Sequence, residues 1–265
     1  MAESKTIDVR ALIDSRPLGM WQKIVVLFGF CIIALDGFDI AIMGFIAPEL
    51  KADWGITNRE LGLIISAALV GLALGAMLSG PLSDRLGRKV VIINSVFFFG
   101  AWTLITAFSQ NMEQMILFRF LTGLGLGAAM PNVGTLVAEF APARRRAFLI
   151  TVVFCGFTFG AALGGFAASW LMPHFGWQFV LMLGGILPIL FVPLLLWALP
   201  ESVCFLVVRR AASKKIHRIL AKLAPDLDLQ QCSVELPPVS KSNAQPVKVV
   251  LNDQYRFGSL MLWGA

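Results

Sequence analysis

The sequence predicts an all-α membrane protein with six transmembrane helices. Of its 265 residues, 57% are hydrophobic and only 14% are charged, whereas an ordinary soluble domain has about 25% charged residues. So few charges could not cover this much apolar side chain in water, which excludes a soluble enzyme, a disordered chain and a disulfide-built secreted domain. The apolar residues form long runs without the alternation of strands, which disfavours an outer-membrane barrel.

Each element follows from the lengths of these runs, because a spanning helix needs about 20 mostly apolar residues. Residues 1–20 are a polar tail with charges throughout, unlike a cleavable signal peptide. Residues 200–254 are predicted to be a polar loop that begins with a basic amphipathic helix over 205–223. The apolar stretch 255–265 is too short to cross and is predicted to begin a seventh helix. The six predicted spans are 21–45, 59–81, 90–109, 113–138, 147–171 and 177–199.

The positive charges predict the orientation of these spans. Of the 22 Lys and Arg residues, 19 fall in the tail, the even-numbered loops and the residues after the sixth span. Two, Lys51 and Arg59, fall on the other side, and Arg119 lies within a span. Positive charge accumulates on the cytoplasmic side, so both termini are predicted to be cytoplasmic. The net charge of +6 is therefore interpreted as contact with anionic lipid, not with nucleic acid.

Small residues recur every four positions in three of the spans. Such a spacing lets helix backbones approach closely in lipid, and close packing is the main interpretation of it. These residues are Ala67, Gly71, Gly75 and Ser79, then Gly123 and Gly127, then Gly156, Gly160 and Gly164.

Three charged residues lie inside the spans: Asp36, Asp39 and Arg119. Each costs about 2.5–3.5 kcal/mol near the centre of a bilayer. The two aspartates are three residues apart and share a helix face, and Asp39 and Arg119 are predicted at similar depth. Two interpretations remain open: a structural ion pair, or a path for substrate or protons in which carboxylates and an Arg hold an anion or exchange a proton.

No enzyme chemistry is predicted. The spans contain no Ser-His or Cys-His pair, and neither H-E-x-x-H nor a Cys pair with metal-ligand spacing occurs. The sequence therefore predicts neither a metal nor another cofactor, and it gives no support to an intramembrane protease.

The loop after the second span resembles the signature of a known family. Residues 80–89 read Gly-Pro-Leu-Ser-Asp-Arg-Leu-Gly-Arg-Lys, which is similar to the G-x-L-x-D-R-x-G-R-K motif of the major facilitator superfamily. Arg119, followed by residues 122–125, resembles the superfamily's helix-4 motif, in which the Arg is linked to proton coupling. Residues 156–165 resemble its helix-5 glycine motif, with Ala161 where antiporters have Pro, a departure that favours symport.

Within that superfamily, Asp36-Gly37-Phe38-Asp39 resembles the D-G-x-D motif of aromatic acid:H⁺ symporters. Residues 43–48 and 118–127 are similar to the branch that carries 4-hydroxybenzoate and protocatechuate. Residues 200–202, Pro-Glu-Ser, also fit, with Cys204 in place of the Arg that usually follows. The resemblance implies a fold of twelve helices in two halves, each made of two inverted three-helix repeats. This chain would then supply the first half, the central loop and the start of helix 7, and helices 7–12 would be needed to complete the substrate cavity.

The function predicted from this resemblance is proton-driven uptake of a small aromatic carboxylate across the bacterial inner membrane. In this interpretation Asp36 and Asp39 handle the proton or the substrate, and Arg119 pairs with them or with the substrate carboxylate. A cytoplasmic gate is predicted from Asp84, Arg85, Gly87, Arg88 and Glu139. The alternative is a truncated membrane fragment without transport activity.

Overall fold

The computed structural model of the chain describes residues 6–208 and 233–235. Chain contacts divide the protein into Met1–Glu235 and Leu236–Ala265. The second unit lies outside the described residues, and with it the predicted start of a seventh helix. The predicted amphipathic helix over 205–223 also lies mostly outside them, and only its first residues are described.

The described residues are almost entirely helical. The only strands among them are two parallel three-residue segments that pair with each other. The elements in chain order are β1 (Thr6–Asp8), α1 (Val9–Asp14), α2 (Met20–Trp54), α3 (Asn58–Leu86), α4 (Arg88–Thr106), α5 (Met112–Phe140), a 3₁₀ turn (Ala143–Arg145), α6 (Arg146–Ala198), α7 (Val203–Val208) and β2 (Ser233–Glu235).

Helix α6 supplies two of the six spans. Its 53 residues would extend about 80 Å as one straight helix. The backbone of Gly176 is not helical, however, since its φ is 78° and its ψ is 171°. The chain reverses there: Gly160 lies against Ala34, Trp177 packs on Trp54, and Gly184 lies against Ile42. Five helices are long and apolar enough to cross a membrane in the described part of the chain. With α6 counted as two segments, 146–175 and 177–198, the six predicted spans are all present.

Several helices run past the apolar stretches that predicted them. Helix α2 continues nine residues beyond the predicted end at 45 and stops where Gly55 takes a left-handed φ of 66°. Helix α3 begins at a capping box, in which the backbone N–H of Thr57 donates to Glu60 Oε2 over 2.7 Å. Hydrophobicity marks the part of a helix that lies in lipid, whereas a helix ends only where a cap satisfies its backbone groups.

Helices α3 and α5 pack through their backbones, as the spacing of small residues predicts. A Cβ added to Gly71 or Gly75 would overlap the main chain of α5, and one added to Gly123 or Gly127 would overlap the main chain of α3. Side chains of any size would therefore separate the two helices.

The same close packing joins α2 to the first segment of α6. Gly37 faces the backbone of α6, while Gly156 and Gly160 face the backbone of α2. Gly164 packs less tightly, since the nearest atom to its Cβ position is the carbonyl oxygen of Phe38 at 3.2 Å. The second and fifth spans thus pair with the fourth and first in the same manner, as two three-helix repeats of opposite orientation require.

The buried apolar side chains form two clusters, one toward each end of the bundle. The first lies at the end that carries Arg85, Arg88, Lys89, Arg144 and Arg145, which we call the basic end. It includes Ile33 of α2, Phe99 of α4 and Leu126 of α5. The second lies toward the opposite end and includes Ile42, Met115 and Trp177. The charges inside the spans form a polar layer where the two clusters meet. Asp36 and Arg119 lie between residues of the two clusters on their helices, and Asp39 lies beside Phe38 of the second cluster.

Candidate functional site

A buried ion pair occupies the layer between the two apolar clusters. Arg119 of α5 donates from Nη1 to Oδ2 of Asp39 on α2 over 3.0 Å. Thr103 of α4 donates its hydroxyl to the other carboxylate oxygen, Oδ1, over 2.6 Å. Both oxygens of Asp39 therefore accept a hydrogen bond, and the layer joins three helices that are distant in sequence.

Asp36 lies one turn nearer the basic end and has no such partners. Both of its carboxylate oxygens are buried, and no described residue donates a hydrogen bond to either. Three other buried polar atoms of the layer have no protein partner within the described residues: Arg119 Nε, Arg119 Nη2 and Thr122 Oγ1. The layer thus holds one satisfied carboxylate, one carboxyl group without a donor, and unused donors.

The layer is enclosed within the six-helix bundle. Asp36 and Asp39 are 0% exposed and Arg119 is 1% exposed. Any further chain packed against this bundle could only bury them more. In this conformation the three groups therefore lie inside the wall of the bundle, where a substrate on its surface would not touch them.

A second ion pair lies at the basic end, between the start of α4 and the end of α5. Arg88 Nε is 2.7 Å from Glu139 Oε1, and the two side chains are 23% and 10% exposed. The hydroxyl of Ser202 donates to the other oxygen of Glu139. Both residues were predicted from the sequence to belong to a cytoplasmic gate. In the structure their ion pair joins α4 to α5, two helices of the same six-helix unit.

The turn before α4 is covered by Glu201, which follows the last span. Its Oε1 accepts hydrogen bonds from the backbone N–H of Lys89 over 3.0 Å and of Ser202 over 2.9 Å. A carboxylate at this position caps the N-terminus of α4 and complements the positive end of its dipole. Gly87 has φ 94°, and a Cβ there would come within 2.5 Å of Glu201 Oε2. The backbone conformation therefore requires glycine, and the carboxylate above it leaves little room for a side chain.

The two remaining gate residues, Asp84 and Arg85, are exposed on the last turn of α3. Their assignment to a gate stays a prediction.

The N-terminal helix α1 also docks at the basic end. Asp14 Oδ1 accepts the backbone N–H of Ala143 over 2.7 Å, and Ile13 is buried in the first apolar cluster. A cavity of about 230 Å³ lies beneath the helix, with charged side chains of α1, α4, α5 and α6 in its lining. Cys204 lines this cavity too, and burial, together with the negative charge of Glu139, raises the pKa of its thiol.

Two contributors to these sites were not selected from the sequence. Thr103 was one hydroxyl among several in the spans, and only its contact with Asp39 distinguishes it. Glu201 was noted only as part of a Pro-Glu-Ser motif. A carboxylate directly after a span, on the same side as the start of α4, was the available signal.

The described residues contain no group of three His, Cys, Asp or Glu side chains that could hold a metal ion. The charged groups of the site are two carboxyl groups, which can bind or release a proton, and an Arg, whose permanent positive charge can neutralise a carboxylate.

Comparison with known proteins agrees with the motifs. The model of the Major Facilitator Superfamily matches residues 29–264. The chain is 47% identical over 258 residues to the 4-hydroxybenzoate transporter PcaK of Pseudomonas aeruginosa, covering 97% of this chain and 58% of that protein. It is 45% identical to a gallate transporter of Pseudomonas putida, covering 97% of this chain and 57% of that protein.

Among solved structures, the chain resembles the inward open conformation of the xylose transporter XylE from E. coli. The TM-score is 0.67 at 23% identity, over 77% of this chain and 53% of that one. At this identity the likeness concerns the fold. The chain spans a little over half the length of the curated relatives that it matches.

Proposed function

Because this chain belongs to the Major Facilitator Superfamily and is a multi-pass membrane protein, we propose that it forms the first half of a transporter for a small aromatic carboxylate. Uptake is driven by protons across the bacterial inner membrane and proceeds by alternating access. The substrate class is carried over from the relatives named for 4-hydroxybenzoate and gallate transport.

The observation that carries the proposal is the enclosed ion pair of Asp39 and Arg119. Charges in the membrane interior are expensive, and two apolar clusters would pack more cheaply without them. The pair is placed where three helices meet, and the donor-free Asp36 lies one turn away. A carboxyl group that can be neutral or ionised beside a permanent positive charge suits proton coupling. In the proposed transporter Asp36, Asp39 and Arg119 form the proton and substrate path, and they meet the substrate only in a conformation in which the bundle has opened.

The contacts at the basic end support a role in gating. Arg88 and Glu139 hold the start of α4 against the end of α5, and Gly87 lets the turn between α3 and α4 fit beneath Glu201. In our proposal Asp84 and Arg85, which are exposed on this turn, contact other parts of the transporter. In our proposal this turn is the cytoplasmic latch, and the Arg88–Glu139 pair fixes its position.

Helices 7–12 would supply the other wall of the cavity, since substrate binds between the halves in such transporters. Both termini and residues 200–254 are proposed to be cytoplasmic. In a background without native cysteines, a membrane-impermeant thiol reagent should miss Ser242→Cys in intact cells and label Gln110→Cys, which is exposed at the opposite end. Ready labelling at position 242 in intact cells would contradict the proposed orientation.

The decisive experiment is uptake by the full-length transporter in proteoliposomes under an imposed inward proton gradient. Labelled 4-hydroxybenzoate, gallate and benzoate are the test substrates, and xylose is the control. We expect saturable accumulation of at least one aromatic acid, its loss when a protonophore is added, and no accumulation of xylose. Absence of uptake for all three acids would refute the substrate class, and uptake indifferent to the protonophore would refute proton coupling.

A further inference from the structure

We infer that the two aspartates of α2 have different roles: Asp36 carries the transported proton, and Asp39 remains the ionised partner of Arg119. The inference rests on the proposed function and assigns its proton to one residue. The aspartates are equivalent in the sequence pattern, but their surroundings differ in the structure.

Asp39 is held as an anion. Its Oδ2 accepts from Arg119 Nη1 over 3.0 Å and its Oδ1 accepts from Thr103 Oγ1 over 2.6 Å. The guanidinium is permanently charged, and it is 1% exposed. If Asp39 took up a proton, this buried cation would lose its counter-ion in an apolar surrounding. The geometry therefore favours a fixed pair over a group that exchanges its proton in each cycle.

Asp36 has the opposite surroundings. It is 0% exposed, and no described residue donates a hydrogen bond to either oxygen. A buried carboxylate without donors or a counter-ion loses its hydration and gains nothing in return, whereas the neutral acid avoids this penalty. In this conformation Asp36 is accordingly in its protonated form.

The charged groups near Asp36 are few. Helices α3 and α4 carry charges only in their terminal turns. Helix α5 contributes Arg119, and its acidic residues Glu113 and Glu139 lie at its two ends. The segments of α6 that face α2 have no charged residue between Arg146 and the end of the helix, and His174 lies at the opposite end of the bundle. On α2 itself the neighbouring charge is the carboxylate of Asp39, three residues away, which would repel a second negative charge on Asp36.

In this assignment the free edge of Arg119 stabilises the ionised form of Asp36. Nε and Nη2 lie along one edge of the Arg119 guanidinium, and neither has a partner among the described residues. Such an edge binds a carboxylate through two parallel hydrogen bonds. The hydroxyl of Thr122, one turn further along α5, has no described partner either.

These groups define a proton step. When the bundle opens toward the basic end, Asp36 gives its proton to water on that side and its carboxylate is stabilised by the free edge of Arg119. Proton uptake from the other side returns Asp36 to the neutral acid. Arg119 keeps its contact with Asp39 throughout, so one proton moves. While Asp36 is ionised the site carries one net negative charge, which hydrogen bonds from the free edge of Arg119 stabilise until a proton returns.

The test compares Asp36→Asn with Asp39→Asn in the full-length transporter, measuring membrane abundance, substrate exchange without a gradient, and accumulation with one. Asn has the shape of a neutral Asp, so Asp36→Asn should keep wild-type abundance and exchange within about twofold and lose accumulation. Asp39→Asn should fall at least tenfold in abundance, because it leaves Arg119 unpaired. The double variant Asp39→Asn with Arg119→Gln should recover abundance, because it removes both charges.

Each other outcome overturns the assignment. Wild-type accumulation by Asp36→Asn would show that Asp36 does not carry the proton. Loss of this variant from the membrane would show that Asp36 is not neutral in this conformation. If Asp39→Asn kept normal abundance and lost only accumulation, Asp39 and not Asp36 would be the proton carrier. Failure of the proposed function itself is distinguishable, since the wild type would then not respond to a proton gradient at all.

Discussion

Reversal of the Arg88–Glu139 pair tests the proposed latch. The variants are Arg88→Glu, Glu139→Arg and the double exchange, made in the full-length transporter. Each single change places two like charges where Nε and Oε1 now lie 2.7 Å apart. The double change restores an opposite pair in reversed order. Its partners differ, however, because Ser202 now donates to Glu139 and Arg10 lies near enough to favour a negative charge there.

The expected size of the effect follows from burial. Fully exposed pairs contribute about 0–1 kcal/mol, and breaking a buried pair costs about 3–5 kcal/mol. With side chains 23% and 10% exposed, this pair lies between these limits, so we expect a coupling free energy of about 2 kcal/mol. That corresponds to roughly a 30-fold change in the equilibrium that the pair holds.

The assay is a double-mutant cycle on initial uptake rates, normalised to membrane abundance. Each single variant should lose most activity, and the double variant should recover part of it but not all, because Ser202 and Arg10 suit a carboxylate at position 139. Arg144→Glu, an exposed reversal on the same side of the membrane, is the control and should change uptake little. If the effect of the double variant equalled the sum of the two single effects, the contact would not couple these residues during transport.

Three further outcomes follow from the same structure. Gly127→Ala should destabilise the protein by about 1–3 kcal/mol in a denaturant titration, because its Cβ meets the main chain of α3; Gly134→Ala, on the same helix with its nearest neighbour at 3.6 Å, should not. Glu201→Gln should lower the melting temperature less than Glu201→Ala does, since the amide oxygen can still accept from Lys89 N–H; equal losses would point away from the cap. Proteoliposomes that contain only the 265-residue chain should show inserted protein without saturable proton-driven uptake, and such uptake would reveal a working assembly of halves.

The number and positions of the spans were predictable because they depend only on where long apolar runs occur in the sequence. A run of about 20 apolar residues must leave water wherever it occurs, and all six runs became helical segments. The ends were less predictable: α2 continues to Trp54 because its backbone groups need a cap, and the cap is Gly55. The turn between the last two spans depends on Gly176.

The charged residues of the site were also visible in the sequence, since Asp36, Asp39 and Arg119 have no place in an ordinary apolar helix. Residue type and helical spacing carry that information locally. Their partners depend on contacts between positions far apart in the chain, namely 80 residues for Arg119 with Asp39 and 64 for Thr103 with Asp39.

A three-residue spacing places both aspartates on one face of α2 and cannot distinguish them. Only the packing of α4 and α5 against that face determines that Asp39 receives both donors and Asp36 none. Likewise, the Pro-Glu-Ser motif shows a carboxylate after the last span, but the cap on α4 exists because the ends of two distant helices meet there. The sequence determined which groups are present and roughly at what depth, because hydrophobicity and helical period act locally. Which of them are paired was decided by the tertiary structure, because a hydrogen bond requires its donor and acceptor to come within about 3 Å.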